Sequence, residues 1–249
     1  MACSHFHTPF SSKTTSRMNQ LEEQTYYSMK SYETNGFFIK ENVFTKTECK
    51  DVIDEAHEIA QDPNFSPLMM PHRVSTIFDL ALKKKPIVDI VEKLVSGQPE
   101  GLQSEFFFGK PGTKGFSAHQ DNYFVEAPYG AFVSAWCPLT DTYPSKGGLI
   151  IYPGSHKEKV LEVEAGVMER DAGQDPNANT TRTLIPKKYS PLNVDVPQGA
   201  VLFIHGNLIH ASNDNKTNEF RTVLLNTYIR SGCPFRSGRH AKRALTPLF

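Results

Sequence analysis

No stretch of the 249-residue sequence stays apolar over the ~18 residues that a membrane-spanning helix needs. An excess of charge is also missing, since Lys+Arg and Asp+Glu both number 27. Without such an excess, neither nucleic acid nor an anionic membrane is an expected partner. The four cysteines are scattered and include no C-x-x-C pair, which is typical of reduced intracellular thiols rather than of a disulfide framework.

The first seventeen residues contain neither an apolar h-region nor an acidic residue, and they are rich in Ser and Thr. A secretory signal is therefore not expected, and residues 1–18 are predicted to form a disordered or targeting tail. We expect a cytoplasmic protein, with an organelle transit peptide in residues 1–17 as the alternative. No internal repeat or long linker divides the remainder, so residues 19–249 are predicted to form a single domain.

The N-terminal third carries helical patterns. Thr45 and Glu48 fit a capping box, and apolar residues recur at helical spacing after them. A second helical stretch covers Ile77–Leu94 and is interrupted at Pro86. Residues 62–73, between the two, predict either an ordinary packed loop or a mobile segment over a pocket.

From Gln103 onward the pattern becomes that of β-structure. Short apolar or alternating runs are separated by turn signals rich in Gly, Pro and Asn. These runs are Glu105–Gly109, Ala131–Cys137, Leu149–Tyr152, Ala200–His205 and Thr222–Ile229. They predict a mainly β fold with flanking helices, built as a sandwich or jelly roll. The polar segment 162–191 is predicted to be a long insertion near one end of that core.

His119 and Asp121 are separated by one residue and make the strongest candidate for a metal site. On an extended strand their side chains project from the same face, so both can reach one ion. They can equally form a buried hydrogen-bonded pair, because a chain with nine histidines produces His-x-Asp by chance. Two histidines and one carboxylate suit an iron(II) ion that keeps positions open for O2 and a co-substrate. A second histidine is therefore required.

Two histidines compete for that position. Gly206 suggests a bend directly after His205, whereas His210 is followed by polar residues at workable spacings. We favour His210 and keep His205 as the alternative.

Arg221 opens the last predicted strand and supports a keto-acid co-substrate. The distal carboxylate of 2-oxoglutarate needs neutralising in a dry pocket, and a guanidinium does this through two parallel hydrogen bonds. Ser212 follows His210 by two positions and is expected to face the same cavity. The alternative for Arg221 is an exposed charge at a strand edge, paired with Glu219.

Several motifs in order resemble the phytanoyl-CoA dioxygenase family of iron(II)- and 2-oxoglutarate-dependent oxygenases. They are Lys110-Pro111-Gly112, His119-Gln120-Asp121, Ala135-Trp136, Gly147-Gly148-Leu149, Pro153-Gly154-Ser155-His156-Lys157, Gly199-Ala200, His210-Ala211-Ser212 and Arg221. The resemblance extends from about Gly36 to Arg230 and is more specific than His-x-Asp alone.

The resemblance implies a double-stranded β-helix core of the cupin-like jelly-roll type, with the metal at one end. It implies Fe(II), 2-oxoglutarate as co-substrate, O2, and succinate and CO2 as co-products. The implied iron ligands are His119, Asp121 and His210. The residues implied to contact 2-oxoglutarate are Arg221, Ser212, Trp136, Gln103 and Phe116. Because related halogenases lack the carboxylate ligand, Asp121 favours hydroxylation over halogenation.

The expected substrate is a small polar or anionic metabolite. Asn122, Tyr123 and Arg73 are the candidate substrate residues, although Arg73 can also be an ordinary surface arginine. A non-catalytic cupin-like metal- or ligand-binding protein is one alternative. A zinc hydrolase with the same three ligands is another, but no glutamate in the pattern offers a general base and Arg221 would have no role.

Overall fold

The computed structural model describes residues 28–60, 67–165 and 179–249. The predicted tail of residues 1–18 lies outside these ranges. Residues 28–35 are helical and are called α1, followed by α2 (Lys46–Ile59), α3 (Thr76–Leu82), α4 (Lys85–Leu94) and α5 (Asn122–Val125). The strands are β1 (Phe37–Lys40), β2 (Leu68–Met69), β3 (Pro99–Gly109), β4 (Phe132–Pro138), β5 (Leu149–Ile151), β6 (Val163–Ala165), β7 (Thr181–Thr183), β8 (Leu192–Asn193), β9 (Val201–His205), β10 (His210–Ser212) and β11 (Arg221–Arg230).

The strands form a large and a small antiparallel sheet. The large sheet has the order β1-β9-β4-β11-β3-β2, and the small sheet has the order β10-β5-β8. Each of the five runs predicted to be strands overlaps one of these strands; β3 begins six residues before its predicted run, and the other ends agree to within one residue. The prediction of a mainly β fold with flanking helices is confirmed.

The long strands of the large sheet are buried on both faces, and the two faces have different neighbours. Along β11, Leu224 and Tyr228 pack in the core against the helices, and the Tyr228 hydroxyl donates to the Leu82 carbonyl at 2.8 Å. The alternate residues Val223 and Leu225 pack in the barrel interior. Because side chains alternate between faces along a strand, every second residue of β3, β4 and β11 points into the barrel, where the site lies.

The helices follow their sequence signals. The Thr45 side chain accepts a hydrogen bond from the Glu48 amide, and the Thr45 amide donates to the Glu48 carboxylate at 2.8 Å, so the predicted capping box of α2 is confirmed. Pro86 lies in the first turn of α4, where its missing N–H costs nothing, and it separates α3 from α4. No helix within the described ranges is long and apolar enough to cross a membrane.

Two predicted loops fall partly outside the described residues. Residues 61–66 lie outside, while Leu68–Met69 pairs with β3 and Pro71–Arg73 forms a short 3-10 turn. In the predicted insertion, residues 166–178 lie outside, and β6 and β7 on either side pair with each other as a two-stranded sheet. The described residues on either side of 166–178 are therefore neighbours in the fold.

Candidate metal centre

His119 and His210, the two histidines predicted to bind the metal, pair with each other through their backbones. The His119 amide donates to the His210 carbonyl at 2.8 Å, and the His210 amide donates back to the His119 carbonyl at 3.0 Å. These two hydrogen bonds hold the His119 backbone beside His210, the first residue of β10. Close approach of the two backbones needs Gly115, because a Cβ there would lie 1.9 Å from the Ser212 carbonyl oxygen.

The prediction that His119 and Asp121 share one extended strand is wrong in detail. Extended pairing ends at His119, and Asp121 has φ −56° and ψ −35° at the start of α5. The intervening Gln120 is fully buried and turns away, donating to the Asn207 carbonyl at 2.7 Å and accepting from the Leu161 amide at 2.8 Å. The side chains of His119 and Asp121 still converge, because the backbone turns between them instead of continuing straight.

Three donor atoms meet at one point. Asp121 Oδ1 lies 3.5 Å from His119 Nε2 and 3.7 Å from His210 Nε2. One ligand atom from each of the three residues lies within 4.8 Å of the others. Such a spacing matches two imidazoles and one carboxylate arranged around a single ion, with further positions left for small ligands.

Hydrogen bonds fix which atoms of the three residues face that point. His119 Nδ1 lies 2.7 Å from the Ser117 carbonyl, and His210 Nδ1 lies 3.1 Å from the Leu208 carbonyl. A carbonyl only accepts, so each Nδ1 carries the proton and each Nε2 keeps a lone pair for a metal. The Ser134 hydroxyl donates to Asp121 Oδ2 at 2.6 Å, which leaves Oδ1 directed at the two histidines.

The ionisation of the cluster also suits a metal. Burial lowers the pKa of His210 to about 4, so its imidazole is neutral at pH 7. Burial raises the pKa of Asp121, but the neighbouring His210 and His119 and the Ser134 hydroxyl outweigh burial and hold that pKa below its ordinary value. Neutral imidazole and ionised carboxylate are the forms that bind metals.

His205 is not part of this cluster. It is the last residue of β9, its Nδ1 accepts from the Asn207 amide at 3.0 Å, and its ring packs against Tyr32, Tyr129 and His156. The choice of His210 over His205 is therefore the one that the geometry supports.

A cavity in the barrel interior borders the cluster and has two lobes. Both lobes are lined by Phe107, Phe116, His119, Asp121 and Leu225. The first, called the arginine lobe, is further lined by Trp136, Leu149, Ile204, His210, Ala211, Ser212 and Arg221. The second, called the polar lobe, is further lined by Gln103, Glu105, Ser117, Phe124, Val125, Phe132, Asn179, Thr181, Thr227 and Arg243.

Arg221 is a buried cation that forms no ion pair with the described part of the chain. Its side chain is 7% exposed, and its Nη1 donates to the Gly147 carbonyl at 2.7 Å. Its Nε has no hydrogen-bond partner among residues 28–60, 67–165 and 179–249. Burial lowers its pKa to about 10, so it stays charged at neutral pH. The alternative pairing with Glu219 is wrong, because Glu219 pairs with Lys146.

The remaining residues implied for 2-oxoglutarate divide between the lobes. Trp136 and Ser212 line the arginine lobe, and the Ser212 hydroxyl accepts from the Phe116 amide at 2.8 Å, so its own proton is available to a carboxylate. Phe116 borders both lobes. Gln103 lies in the polar lobe instead, where it bonds to Glu105 and Arg243.

Asn122, Tyr123 and Arg73, the predicted substrate residues, are not among the described residues that line either lobe. The Asn122 side chain is committed to structure, since it bonds to the Ala127 backbone and to Asn207 Oδ1 at 2.9 Å. Tyr123 packs edge-on against Phe124, which takes the cavity position instead. Arg73 is exposed and donates to the Lys242 carbonyl at 2.8 Å. The prediction that these three side chains line the substrate cavity is therefore wrong.

Several residues that the fold brings to the cluster from far along the chain were not predicted from the sequence. No glutamate was predicted at the site, yet Glu105 lines the polar lobe, as do Thr227 and Arg243. Ser134, which holds Asp121, was not predicted either. Alternation along the predicted strands was an available signal, since Gln103, Glu105 and Phe107 share one face of β3.

Comparison with known proteins agrees with this site. The model of the phytanoyl-CoA dioxygenase (PhyH) family matches residues 32–223. Phytanoyl-CoA dioxygenase 1 of Oryza sativa subsp. japonica is 28% identical over 232 residues, covering 89% of this chain and 75% of the relative. Phytanoyl-CoA dioxygenase of Arabidopsis thaliana is 25% identical over 245 residues, covering 93% and 78%.

Among solved structures, the epimerase SnoN in complex with Fe3+, alpha ketoglutarate and nogalamycin RO has a TM-score of 0.70. Its identity is 15%, with 91% of this chain and 88% of that chain covered, so it shows the fold. The predicted cupin-like jelly roll is confirmed.

Fold and site together define a non-haem iron oxygenase that uses 2-oxoglutarate and O2. Within that class, the chain belongs to the phytanoyl-CoA dioxygenase family, and it is a 2-oxoglutarate-dependent dioxygenase.

Proposed function

We propose that the protein hydroxylates a small polar metabolite, with 2-oxoglutarate and O2 consumed and succinate and CO2 released. In this proposal His119, Asp121 and His210 hold iron(II), and Arg221 with Ser212 binds the distal carboxylate of 2-oxoglutarate. The residues present fit these groups, because the three donors converge and the buried cation Arg221 lines the adjoining lobe.

The proposal rests on Arg221, whose buried guanidinium is not neutralised by any described side chain. A buried charge is costly unless an opposite charge compensates it. No described side chain forms an ion pair with Arg221, and its Nε has no partner in those ranges, so a dianionic keto acid completes the lobe. A silent scaffold with the same fold would have no use for this cation.

Around the bound groups, the chain's own residues position atoms and keep water out. Iron(II) together with 2-oxoglutarate supplies the O2-activating oxidative decarboxylation. The carbonyls of Ser117 and Leu208 hold both imidazoles with Nε2 facing the point where the ion would bind, and Ser134 holds the Asp121 carboxylate. In the arginine lobe, the side chains of Trp136, Leu149 and Ile204 exclude solvent and strengthen the interaction of Arg221 with a carboxylate.

The polar lobe supports a small polar substrate. Its volume is about 100 Å³, and its described wall carries two carboxylates (one of them that of Asp121), one guanidinium, two amides and three hydroxyls. A wall of this kind leaves polar groups unpaired against a long hydrocarbon chain. The substrate named by the plant relatives is therefore not the one that this lobe fits.

The test measures 2-oxoglutarate binding and turnover together. Trp136 is the single tryptophan and lines the arginine lobe, so its fluorescence reports binding of the co-substrate directly. In wild-type protein with iron(II), we expect saturable quenching by 2-oxoglutarate, and succinate release under O2 with a panel of small amines, alcohols and acids. His119→Ala should abolish release.

Arg221→Met should weaken 2-oxoglutarate binding by about a hundredfold, since a buried charge-assisted pair is lost. Arg221→Lys should recover only part, because an ammonium lacks the paired donors. Arg230→Met, at the far end of the same strand, is the matched control and should bind normally. Unchanged binding in Arg221→Met would exclude the assignment.

A further inference from the structure

The backbone that carries His119 is held along both of its edges. On one edge His119 pairs with His210, the first residue of β10. On the other edge the Thr183 amide donates to the Ala118 carbonyl at 2.8 Å, and Asn179 contacts the same segment through its side chain. The segment that presents the metal ligand is therefore fixed by β10 and by the second half of the predicted insertion.

The carboxamide of Asn179 makes three hydrogen bonds to this segment. Its Oδ1 accepts from the Ser117 amide at 2.6 Å and from the Ser117 hydroxyl at 2.7 Å, and its Nδ2 donates to the Gly115 carbonyl at 3.1 Å. A backbone amide only donates and a carbonyl only accepts, so these partners fix which end of the carboxamide is the oxygen. The side chain is 4% exposed, and water therefore competes little for the three bonds.

The backbone of Asn179 narrows the choice of residue further. Its φ is 58°, in the left-handed region that side chains other than asparagine and aspartate rarely adopt. Glycine would keep this backbone and lose the carboxamide. Aspartate would keep an acceptor for Ser117 and lose the donor to Gly115. Asparagine alone meets the conformational and the hydrogen-bonding requirement together.

The residue that Asn179 holds is the one that orients His119. The Ser117 carbonyl lies 2.7 Å from His119 Nδ1, so its position decides that Nδ1 carries the proton and that Nε2 keeps the lone pair. Two hydrogen bonds from Ser117 to Asn179 restrict the direction in which that carbonyl points. His210 takes its orientation from a different carbonyl, that of Leu208, 3.1 Å away.

We propose that Asn179 is a positioning residue for the metal centre, which holds Ser117 so that its carbonyl keeps His119 Nε2 directed at the iron position. This inference rests on the proposed function, in which His119 binds iron(II). Asn179 also lines the polar lobe, so one side chain connects the proposed substrate wall to a metal ligand. Iron affinity then depends on a residue that does not ligate the ion.

The first measurement follows His119 in the metal-free protein. Nitrogen NMR of isotope-labelled histidine, at a pH where the rings are neutral, distinguishes a ring protonated at Nδ1 from one protonated at Nε2. In the wild type, both His119 and His210 should be protonated at Nδ1. Asn179→Gly should give His119 a mixture of the two tautomers and leave His210 unchanged, whereas Asn179→Asp should keep the Nδ1 proton of His119.

The second measurement is the affinity for iron(II), by anaerobic calorimetry. Loss of an outer hydrogen bond to a metal ligand costs about tenfold to a hundredfold, and Asn179 acts one residue further out, so Asn179→Gly should weaken iron(II) at least about threefold. Asn42→Gly is the matched control, because Asn42 is an exposed asparagine with φ 57° and lines neither lobe. It should bind iron(II) as the wild type does.

The inference is overturned if Asn179→Gly keeps the wild-type His119 tautomer or the wild-type iron affinity. It is also overturned if His119 and His210 change alike, since that would indicate a general loosening of the fold. If Asn179→Gly does not fold, Ser117→Ala decides, because it removes one of the two bonds to Asn179 and keeps the carbonyl. Iron(II) should then bind at least about twofold more weakly, and wild-type affinity would refute the inference.

The proposed function fails separately. If His119→Ala binds iron(II) as tightly as the wild type does, His119 is not a ligand, whatever the Asn179 variants show. If His119→Ala loses iron(II) while Asn179→Gly matches the wild type in both measurements, the proposed function stands and this inference alone is refuted.

Discussion

Replacing Ser134 with Ala should weaken iron(II) binding by about tenfold to a hundredfold, the usual cost of losing an outer hydrogen bond to a metal ligand. The Ser134 hydroxyl donates to Asp121 Oδ2 at 2.6 Å, a length typical of a hydrogen bond to an ionised carboxylate. Bonds to charged groups contribute about 1.5–3 kcal/mol, and each factor of ten in affinity corresponds to about 1.4 kcal/mol. The two estimates agree.

The effect acts through orientation and not through protonation. The pKa of Asp121 lies below its ordinary value, with both histidines contributing alongside Ser134, so the carboxyl stays ionised at pH 7 in the variant. Without the hydroxyl, the carboxylate can rotate Oδ1 away from the two Nε2 atoms, and binding must then restore the orientation. The affinity falls although all three ligands remain.

Anaerobic titration with iron(II), followed by calorimetry, measures this effect. Ser104→Ala is the matched control, because Ser104 is a buried serine on β3 that bonds to His72 at 2.6 Å and lines neither lobe. It should bind iron(II) as the wild type does. Equal iron affinity in Ser134→Ala and the wild type would refute the role assigned to this hydroxyl.

Two further predictions concern stability. Burial lowers the pKa values of His72 and His205 to about 4, so the unfolded chain takes up protons before the folded one does as the pH falls below about 6.5. Denaturant titrations should show that the free energy of unfolding falls between pH 6.5 and 4, by as much as about 2 kcal/mol per histidine at pH 5. The variant His72→Gln should lose less stability over this range. A stability that does not change with pH would contradict the burial of these histidines. Thr45→Ala removes the N-cap of α2 and should lower the free energy of unfolding by about 1 kcal/mol, with 2-oxoglutarate binding unchanged, whereas Thr47→Ala in the first turn should cost less.

The sequence predicted those parts of the site whose residues are close in the chain or carry a strong chemical preference. His119 and Asp121 are near neighbours, and Arg221 opens a strand whose alternation is visible. The capping box of α2 was equally readable, because a cap is a local interaction within four residues. Local patterns were sufficient for these features.

The substrate side was not predictable in the same way. Asn122 and Tyr123 adjoin Asp121 in sequence, but the backbone turns into α5 at that point and directs Asn122 to the Ala127 backbone. Glu105 and Thr227 reach the lobe through strand register, which depends on the pairing of β3 with β11. Register of this kind is fixed by the whole barrel and not by any short segment.

Strand β11 explains how one barrel can hold a constant co-substrate and a variable substrate. Arg221 and Thr227 occupy the same interior face of this strand, in the arginine lobe and in the polar lobe. At ~3.3 Å per residue they are about 20 Å apart, with the metal cluster bordering both lobes. A substitution at Thr227 or Glu105 can therefore alter the proposed substrate wall without moving the guanidinium that we propose binds the keto acid. Relatives that share Arg221 and the three metal-binding side chains but differ at these two positions are expected to share the co-substrate and differ in what they oxidise.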